Sequence, residues 1–583
     1  MLSDLLADCG QLPDVWGEGA LFAFSGLDGS TNTDSGWVGT FGREPYGLLF
    51  HTPTRRYLDF ALPGQGRPRI CTGDVLGVSS AAGDLLLAYS AWHTLVGVAP
   101  VSASTALRIE SGAAAVDQQG VWLSADDEHG DAVALARTGT RLALSWGSTP
   151  EEARQRAEQG LREDAFQVAA QRLAPYRGLP RLASARWQRL LNKAVSVLRV
   201  NTLAAEGTVG QAWTTPDRVP HRDRWLWDTV FHSFALNAFW PRTSWESIKS
   251  VLDAQWPDGM IPHQMSVSGW TSAITQPPVL AWGVWENYCA LGDREALAWA
   301  LPRLERYLEW DLTKRDRNGN GLLEWRIDGD VRCRSGESGM DNSPRFDAAA
   351  LLDAVEFSAF AAHDMLCLAR AAEALGDADR AALWRARGRA MSERVHSDLW
   401  DPQANFYVDR DMQGVLSAVR AVSGFMPLLL DDTPAERVRA LVAALHDPAQ
   451  FGTAFPVGSV AADDPEFSTD MWRGGTFLNM NFCIAAGLEQ HSLPGDARRL
   501  VELSLAQMER YYVRYGVLFE FYDAKHEVPP VACDRKGPRQ EPYDIRRKTD
   551  SIRDYGWTAA SVVCWLLRYA ERAPDLTANG TAR

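Results

Sequence analysis

No stretch of this 583-residue sequence approaches about 18 uninterrupted apolar residues, so no membrane-spanning helix is expected. Clustered basic charge is missing too. The net charge is −15 and there is no Lys/Arg run, which excludes the concentrated cationic surface that nucleic acid requires. The one mildly basic stretch, Arg535 to Lys548, is interrupted by Glu541 and Asp544 and reads as a solvated loop. Cysteine pairs are absent. Cys9, Cys71, Cys289, Cys333, Cys367, Cys483, Cys533 and Cys564 are scattered without a CxxC, which speaks against a zinc site or a disulfide frame and for reduced thiols. Histidine is scarce, at 11, with no paired spacing, so zinc chemistry is not expected. His232 and His263 read as structural. The first residues, with Asp4 and Asp8 inside a short apolar run, lack the basic start and long apolar stretch of a secretory signal, and a cytoplasmic location is the expectation. Nothing bears on the oligomeric state.

What is abundant is tryptophan, at 23. Many must be core, but several stand beside acidic residues and Gly-rich turns, where an indole face suits the C–H face of a sugar ring.

The chain changes character near residue 148. Before it, short apolar runs such as Gly47–Phe50, Leu85–Tyr89, Val121–Leu123 and Leu142–Trp146 are separated by turn signals. This predicts an N-terminal antiparallel β-sandwich over residues 1–147. Thr149-Pro150-Glu151-Glu152 has the form of a helix-capping box, and residues 148–180 read as a helical linker. Residues 181–583 are dominated by helical periodicity. A second capping box is read at Thr433-Pro434-Ala435-Glu436, followed by Val438, Leu441, Val442 and Leu445 at helical spacing. No alternation of strand and helix suggests a parallel α/β barrel. The fold class is therefore mainly α.

Four clusters place acids or amides among aromatics at helix starts or in tight turns: Arg222 to Thr229; Trp256 to His263 with Thr275 to Pro278; Glu337 to Phe346; and Met471 to Gly475 with Phe519 to Tyr522 and Tyr555 to Thr558. Hydrolysis of an acetal needs one carboxylic acid to protonate the leaving oxygen and a second carboxylate to attack or to activate water.

On these motifs the chain, from about residue 200 to 570, resembles glycoside hydrolase family 63 and its bacterial relatives, among them the mannosylglycerate and glucosylglycerate hydrolases. The carrying residues are Glu337-Ser-Gly-Met-Asp-Asn-Ser-Pro-Arg345, Asp258-Gly-Met-Ile-Pro262, Thr275-Gln-Pro-Pro278 and Trp472-Arg-Gly474. The resemblance implies an (α/α)6 barrel and an exo-acting, inverting hydrolase that removes a terminal α-linked hexose, glucose in the first instance. It places Asp341 as general acid and Glu520 as general base, with the carboxyls about 6.5–9.5 Å apart to admit water. Substrate-binding candidates are Trp227, Asp228, Gln276, Glu337, Trp472 and Arg473. Glu337 also rivals Asp341 for the acid, against the plainer reading of a hydrogen-bonding strut. Asp523 and Asp554 rival Glu520, and Arg345 reads as the partner of a structural acid.

The chain departs from the family at Met340, at Gly475-Thr476-Phe477 and in the unusually long stretch between Asp523 and Trp557. These changes bear on the substrate, so another sugar (mannose, galactose, rhamnose, trehalose), phosphorolysis, and a non-catalytic carbohydrate-binding role stay open. No cofactor is required. A structural calcium is one reading of Asp316, Asn318, Asn320 and Glu324, where oxygen side chains alternate before a glycine. An Asn-Gly turn without metal is the other.

Overall fold

The computed structural model describes residues 2–573 apart from 8, 10, 43–45, 110–115, 119–120, 349, 541–543, 545–546 and 548. Asp8, Glu541 and Lys548, used above, lie outside the described residues.

The N-terminal part forms two antiparallel sheets. One contains β1 (Leu21–Phe22), β2 (Gly39–Phe41), β3 (Gly47–Phe50), β4 (Arg56–Ala61) and, after a crossover, Ser104–Ile109. The other has eight strands, running from Arg67–Cys71 at one edge to Val116–Gln118 at the other. Phe22, Phe50 and Leu58 of the first sheet and Leu76, Leu86 and Leu144 of the second belong to one buried apolar cluster.

Short helix α1 (Leu2–Ala7) precedes the sheets. After them, α2 (Pro150–Gly160) and α3 (Ala165–Arg177) lie on strands of the eight-stranded sheet. Thr149 caps α2 as its sequence suggests, accepting from the Glu152 N–H at 3.2 Å, while Glu152 reaches back to the Ser148 N–H at 2.7 Å. The capping box read at Thr433 does not form. Pro434 occupies the cap position, and the Thr433 hydroxyl donates instead to the Pro427 carbonyl at 2.6 Å.

The helical part continues with α4 (Ala185–Val200), α5 (Leu226–Leu236), α6 (Pro241–Leu252), α7 (Leu280–Leu291), α8 (Arg294–Lys314), α9 (Val355–Leu375) and α10 (Ala378–Asp398). It ends with α11 (Ala435–His446), α12 (Leu478–Gln490), α13 (Pro494–Tyr515) and α14 (Gly556–Tyr569). The packing closes on itself. α5 contacts α7, α7 contacts α9, α9 contacts the 3-10 segment Val422–Leu429, that segment contacts α12, α12 contacts α14, and α14 returns to α5. α4, α6, α8, α10 and α13 back this ring from outside. Composition sorts the two layers. α5 and α14 are apolar nearly all round and almost wholly buried, whereas α13 buries Leu500, Val501, Leu505, Met508 and Tyr512 and leaves a charged face outside. No described helix is long and apolar enough to cross a membrane.

Candidate active site

A cavity of about 130 Å³ lies where inner helices begin. Trp227 and Asp228 come from the first turn of α5, and Tyr555 and Trp557 from the start of α14. Gln276, Gly339, Asp341, Met471 and Glu520 come from loops. Five of the residues expected from the sequence thus meet: Asp341, Glu520, Trp227, Asp228 and Gln276.

Local constraints explain the placement. Gly339 has φ +70°, a left-handed conformation that disfavours a side chain, and a Cβ there would lie 2.5 Å from the Trp227 indole. Glycine lets the acid-bearing turn press against that ring and present Asp341 two residues later. The Gln276 side-chain oxygen accepts from the Trp227 N–H at 3.1 Å, tying two of the sequence clusters together. Glu520 is fixed through its backbone: its N–H donates to the Ile552 carbonyl at 2.8 Å, and its carbonyl accepts from the Trp557 indole at 3.1 Å.

Three expected contacts stand elsewhere. Glu337 does not line the cavity; its carboxylate accepts from the Arg315 guanidinium at 2.5 and 3.1 Å and from the Thr275 and Arg326 N–H groups. The strut reading describes it, and its buried acceptor sites are spent. Trp472 stacks on Phe477 with ring centroids 3.4 Å apart, behind the lining residue Met471. Arg473 pairs with Asp347 at 2.9 Å and Glu466 at 2.6 Å and donates to the Asn342 carbonyl at 3.3 Å. It braces the acid-bearing loop from outside the cavity.

The rivals for the base are also engaged. Asp523 accepts from the N–H groups of Lys525, Glu527 and Val528. Asp554 accepts from the Leu21 N–H and pairs with Lys193, both at 2.9 Å. Arg345 is buried against Glu356 and Asp409, as read. His232 is buried away from the cavity, but His263 lines it, with Nδ1 2.5 Å from the Ser272 hydroxyl. Burial lowers the His263 pKa to about 4, leaving a neutral imidazole at physiological pH.

The long stretch after Asp523 supplies what the sequence reading missed. Arg535 and Lys536 enter the cavity, which corrects the solvated-loop reading for these two residues. Arg535 is 5% exposed and donates twice to Glu520, Nε to Oε2 at 2.7 Å and Nη2 to Oε1 at 3.0 Å. Lys536 Nζ pairs with Asp341 Oδ2. Asp470 grips the turn, accepting from the Lys536 N–H at 2.7 Å and the Gly537 N–H at 2.9 Å, and holds Lys536 at φ +56°. Both carboxylates therefore face a cation from one turn. Asp228 does not. Its Oδ1 is buried without a hydrogen-bond partner, and burial, then the charge of Glu520, push its pKa well above the usual carboxyl range. Both causes favour the neutral form of this carboxyl.

The loop of Asp316, Asn318, Asn320 and Glu324 lies apart from the cavity. Asp316 accepts from the Asn320 and Gly321 N–H groups, Asn318 from Asn320, Asn320 from Leu322, and Glu324 from Arg317. The side chains fold inward onto their own turn, with the second oxygen of Glu324 buried and unpartnered. Among the described residues no group of three His, Cys, Asp or Glu is arranged to hold a metal ion.

A closed ring of helices with two carboxylates, indoles and an amide at one mouth is the arrangement of a carbohydrate-cleaving enzyme. Residues 220–558 match the model of the mannosylglycerate hydrolase MGH1-like glycoside hydrolase domain, and the chain belongs to that family. It is 24% identical over 460 residues to mannosylglycerate hydrolase MGH1 of Selaginella moellendorffii, covering 64% of this chain and 86% of that protein. It is 26% identical to mannosylglycerate hydrolase of Thermus thermophilus over 417 residues, 57% of this chain and 94% of that one. A Borreliella burgdorferi protein is 24% identical over 50% of this chain, which spans only 57% of that relative's length. Among solved structures, Thermus thermophilus GH63 mannosylglycerate hydrolase in complex with glucose gives a TM-score of 0.52 at 25% identity, over 64% of this chain and 99% of that one. A bacterial glucoamylase complexed with acarbose gives 0.57 at 13% identity over 96% of both chains, a likeness of fold that includes the N-terminal sheets.

Proposed function

We propose that this protein is an exo-acting, inverting α-glycosidase, built as an (α/α)6 barrel behind an N-terminal β-sandwich. It removes one terminal α-linked hexose from a short oligosaccharide or from the glycoside of a small acid. The observation that carries the reading is that Asp341 and Glu520, 179 positions apart in the sequence, line one small cavity with indoles and an amide. Asp341, as carboxylic acid, gives its proton to the glycosidic oxygen as the C1–O bond breaks. Glu520 takes a proton from water as the water oxygen bonds to C1 on the opposite face. One water is consumed, and proton exchange with solvent resets both groups. The Arg535 pair keeps Glu520 oriented, and on this reading Asp228 and Gln276 meet sugar hydroxyls. The relatives named as mannosylglycerate hydrolases, and a glucosylglycerate hydrolase of Mycolicibacterium hassiacum 31% identical over 193 residues, point to a hydroxy-acid leaving group.

Proton NMR of the first sugar released from α-glucosyl- and α-mannosyl-glycerate tests the mechanism. The β-anomer is expected. An α-anomer as first product would overturn the water-attack reading, and a requirement for inorganic phosphate would replace hydrolysis by phosphorolysis.

A further inference from the structure

The turn at residues 534–537 is the part of the cavity wall that acid–base chemistry leaves unexplained. Asp341 has to donate a proton to the leaving oxygen, yet its Oδ2 is covered by the Lys536 ammonium. An ammonium has three donors and no acceptor, so while this pair stands Oδ2 can only accept, and the adjacent positive charge disfavours a proton on Oδ1. The turn itself is held, because Asp470 grips two of its N–H groups and Arg535 is fixed on Glu520. The Lys536 side chain, 30% exposed on a flexible four-carbon stem, is the element left to move.

Burial alone would lower the pKa of Lys536, but the charge and hydrogen bond of Asp341, with a smaller contribution from Cys333, make the net shift upward, so the side chain stays charged. A charge in a half-buried site needs a new anion if it is to leave the old one. Among the described residues, the neighbours that act on it offer none. Arg535 is a cation, His263 is neutral, burial pushes the Cys333 thiol up to about 11, and the Asp470 carboxylate is turned to the backbone N–H groups of the same turn. The replacement anion therefore has to arrive with the substrate.

We propose that Lys536 is a specificity-determining residue that selects a leaving group bearing a carboxylate next to the glycosidic oxygen, and that this carboxylate draws the ammonium off Asp341, which then takes up from solvent the proton it gives to the leaving oxygen. The inference rests on the acid–base reading above and adds the residue that couples recognition to it. Exchanging one charge-assisted hydrogen bond for another of the same kind costs little. A neutral leaving group offers no exchange and leaves the ammonium blocking the acid.

Matched substrates test this: the α-glucosides and α-mannosides of glycerate, and of glycerol linked through the same oxygen, in which a CH2OH group replaces the carboxylate. Wild-type kcat/KM should favour the glycerate of the cleaved pair by at least about 30-fold. Lys536→Met should bring that ratio within about threefold, and Lys536→Arg should restore most of it. A merely structural role for Lys536 would lower both rates together and leave the ratio intact, and that result overturns the proposal. So does a wild-type enzyme with no preference for the acid. In either case the acid–base reading survives if Asp341→Asn abolishes turnover, whereas a wild-type protein inactive on all four substrates overturns the role of Lys536, and the acid–base reading with it if α-linked disaccharides are also left intact.

Discussion

The two mouths of the helical ring hold opposite kinds of hollow. At the end where the inner helices begin, about 130 Å³ is walled by Asp341, Glu520, Asp228, Arg535 and Lys536 among indoles. At the end where they finish, a cavity of about 530 Å³ is lined by Phe234, Trp282, Phe482 and Trp565, with Glu286 and Glu489 at its wall. A run of ring contacts, from Trp227 through Phe231 to Phe482 and Phe234, separates the two. The rear space is four times larger and gathers no pair of carboxylates matched with cations from a single turn. On the reading proposed here, convergence of ionisable groups and not volume marks the place of the chemistry.

The strongest way to break this comparison is substitution at the front. Asp341→Asn and Glu520→Gln should each lower kcat by about 10²–10⁴-fold, while Glu286→Gln at the rear should leave it within about twofold, measured on the same glycoside. A comparable loss at Glu286 would mean that the front mouth has been misassigned.

The two front variants should differ in stability. Glu520→Gln removes the carboxylate that Arg535 holds through two hydrogen bonds and should destabilise the fold by about 3–5 kcal/mol. Asp341→Asn frees a half-exposed lysine and should cost far less. Denaturant titration separates them, and Glu520→Gln with Arg535→Gln should recover stability without recovering turnover.

Gly339→Ala sharpens the comparison locally. A methyl group at φ +70°, aimed at the Trp227 ring, should cost about 2–3 kcal/mol and lower kcat with it, checked by thermal melting and steady-state rates.

The smallest effect lies at the rear. Burial raises the Glu286 pKa above its usual value, so stability from its protonated form is present below about pH 4.5 and lost as pH rises through the raised value. Glu286→Gln should therefore raise the melting temperature by about 1 °C at pH 8 and leave it unchanged at pH 4.

Much of this was legible in the sequence, because apolar periodicity and short motifs are local signals. The strand runs before residue 148 and the helical stripes after it follow from them, and the meeting of Asp341, Glu520, Trp227, Asp228 and Gln276 is implied by the family resemblance that the motifs carry. Glu337, Trp472 and Arg473 were placed in the sugar-binding wall because motif membership does not distinguish a lining residue from the one bracing it. Arg535 and Lys536 were misread for a different reason. A loop that mixes Asp, Arg, Lys, Gly and Pro has the composition of a solvated turn, and only its partners, Glu520, Asp341 and Asp470, reveal that it points inward. One clue was available: the stretch between Asp523 and Trp557 is too long for a simple return to the next helix.

The grip of Asp470 on the turn has a practical consequence. It acts through main-chain N–H groups, so with Arg535 in place the turn keeps its shape whichever side chain stands at 536. The tip behaves as a socket with exchangeable heads, and a library varied at position 536 alone should retune which leaving groups are accepted without rebuilding the scaffold.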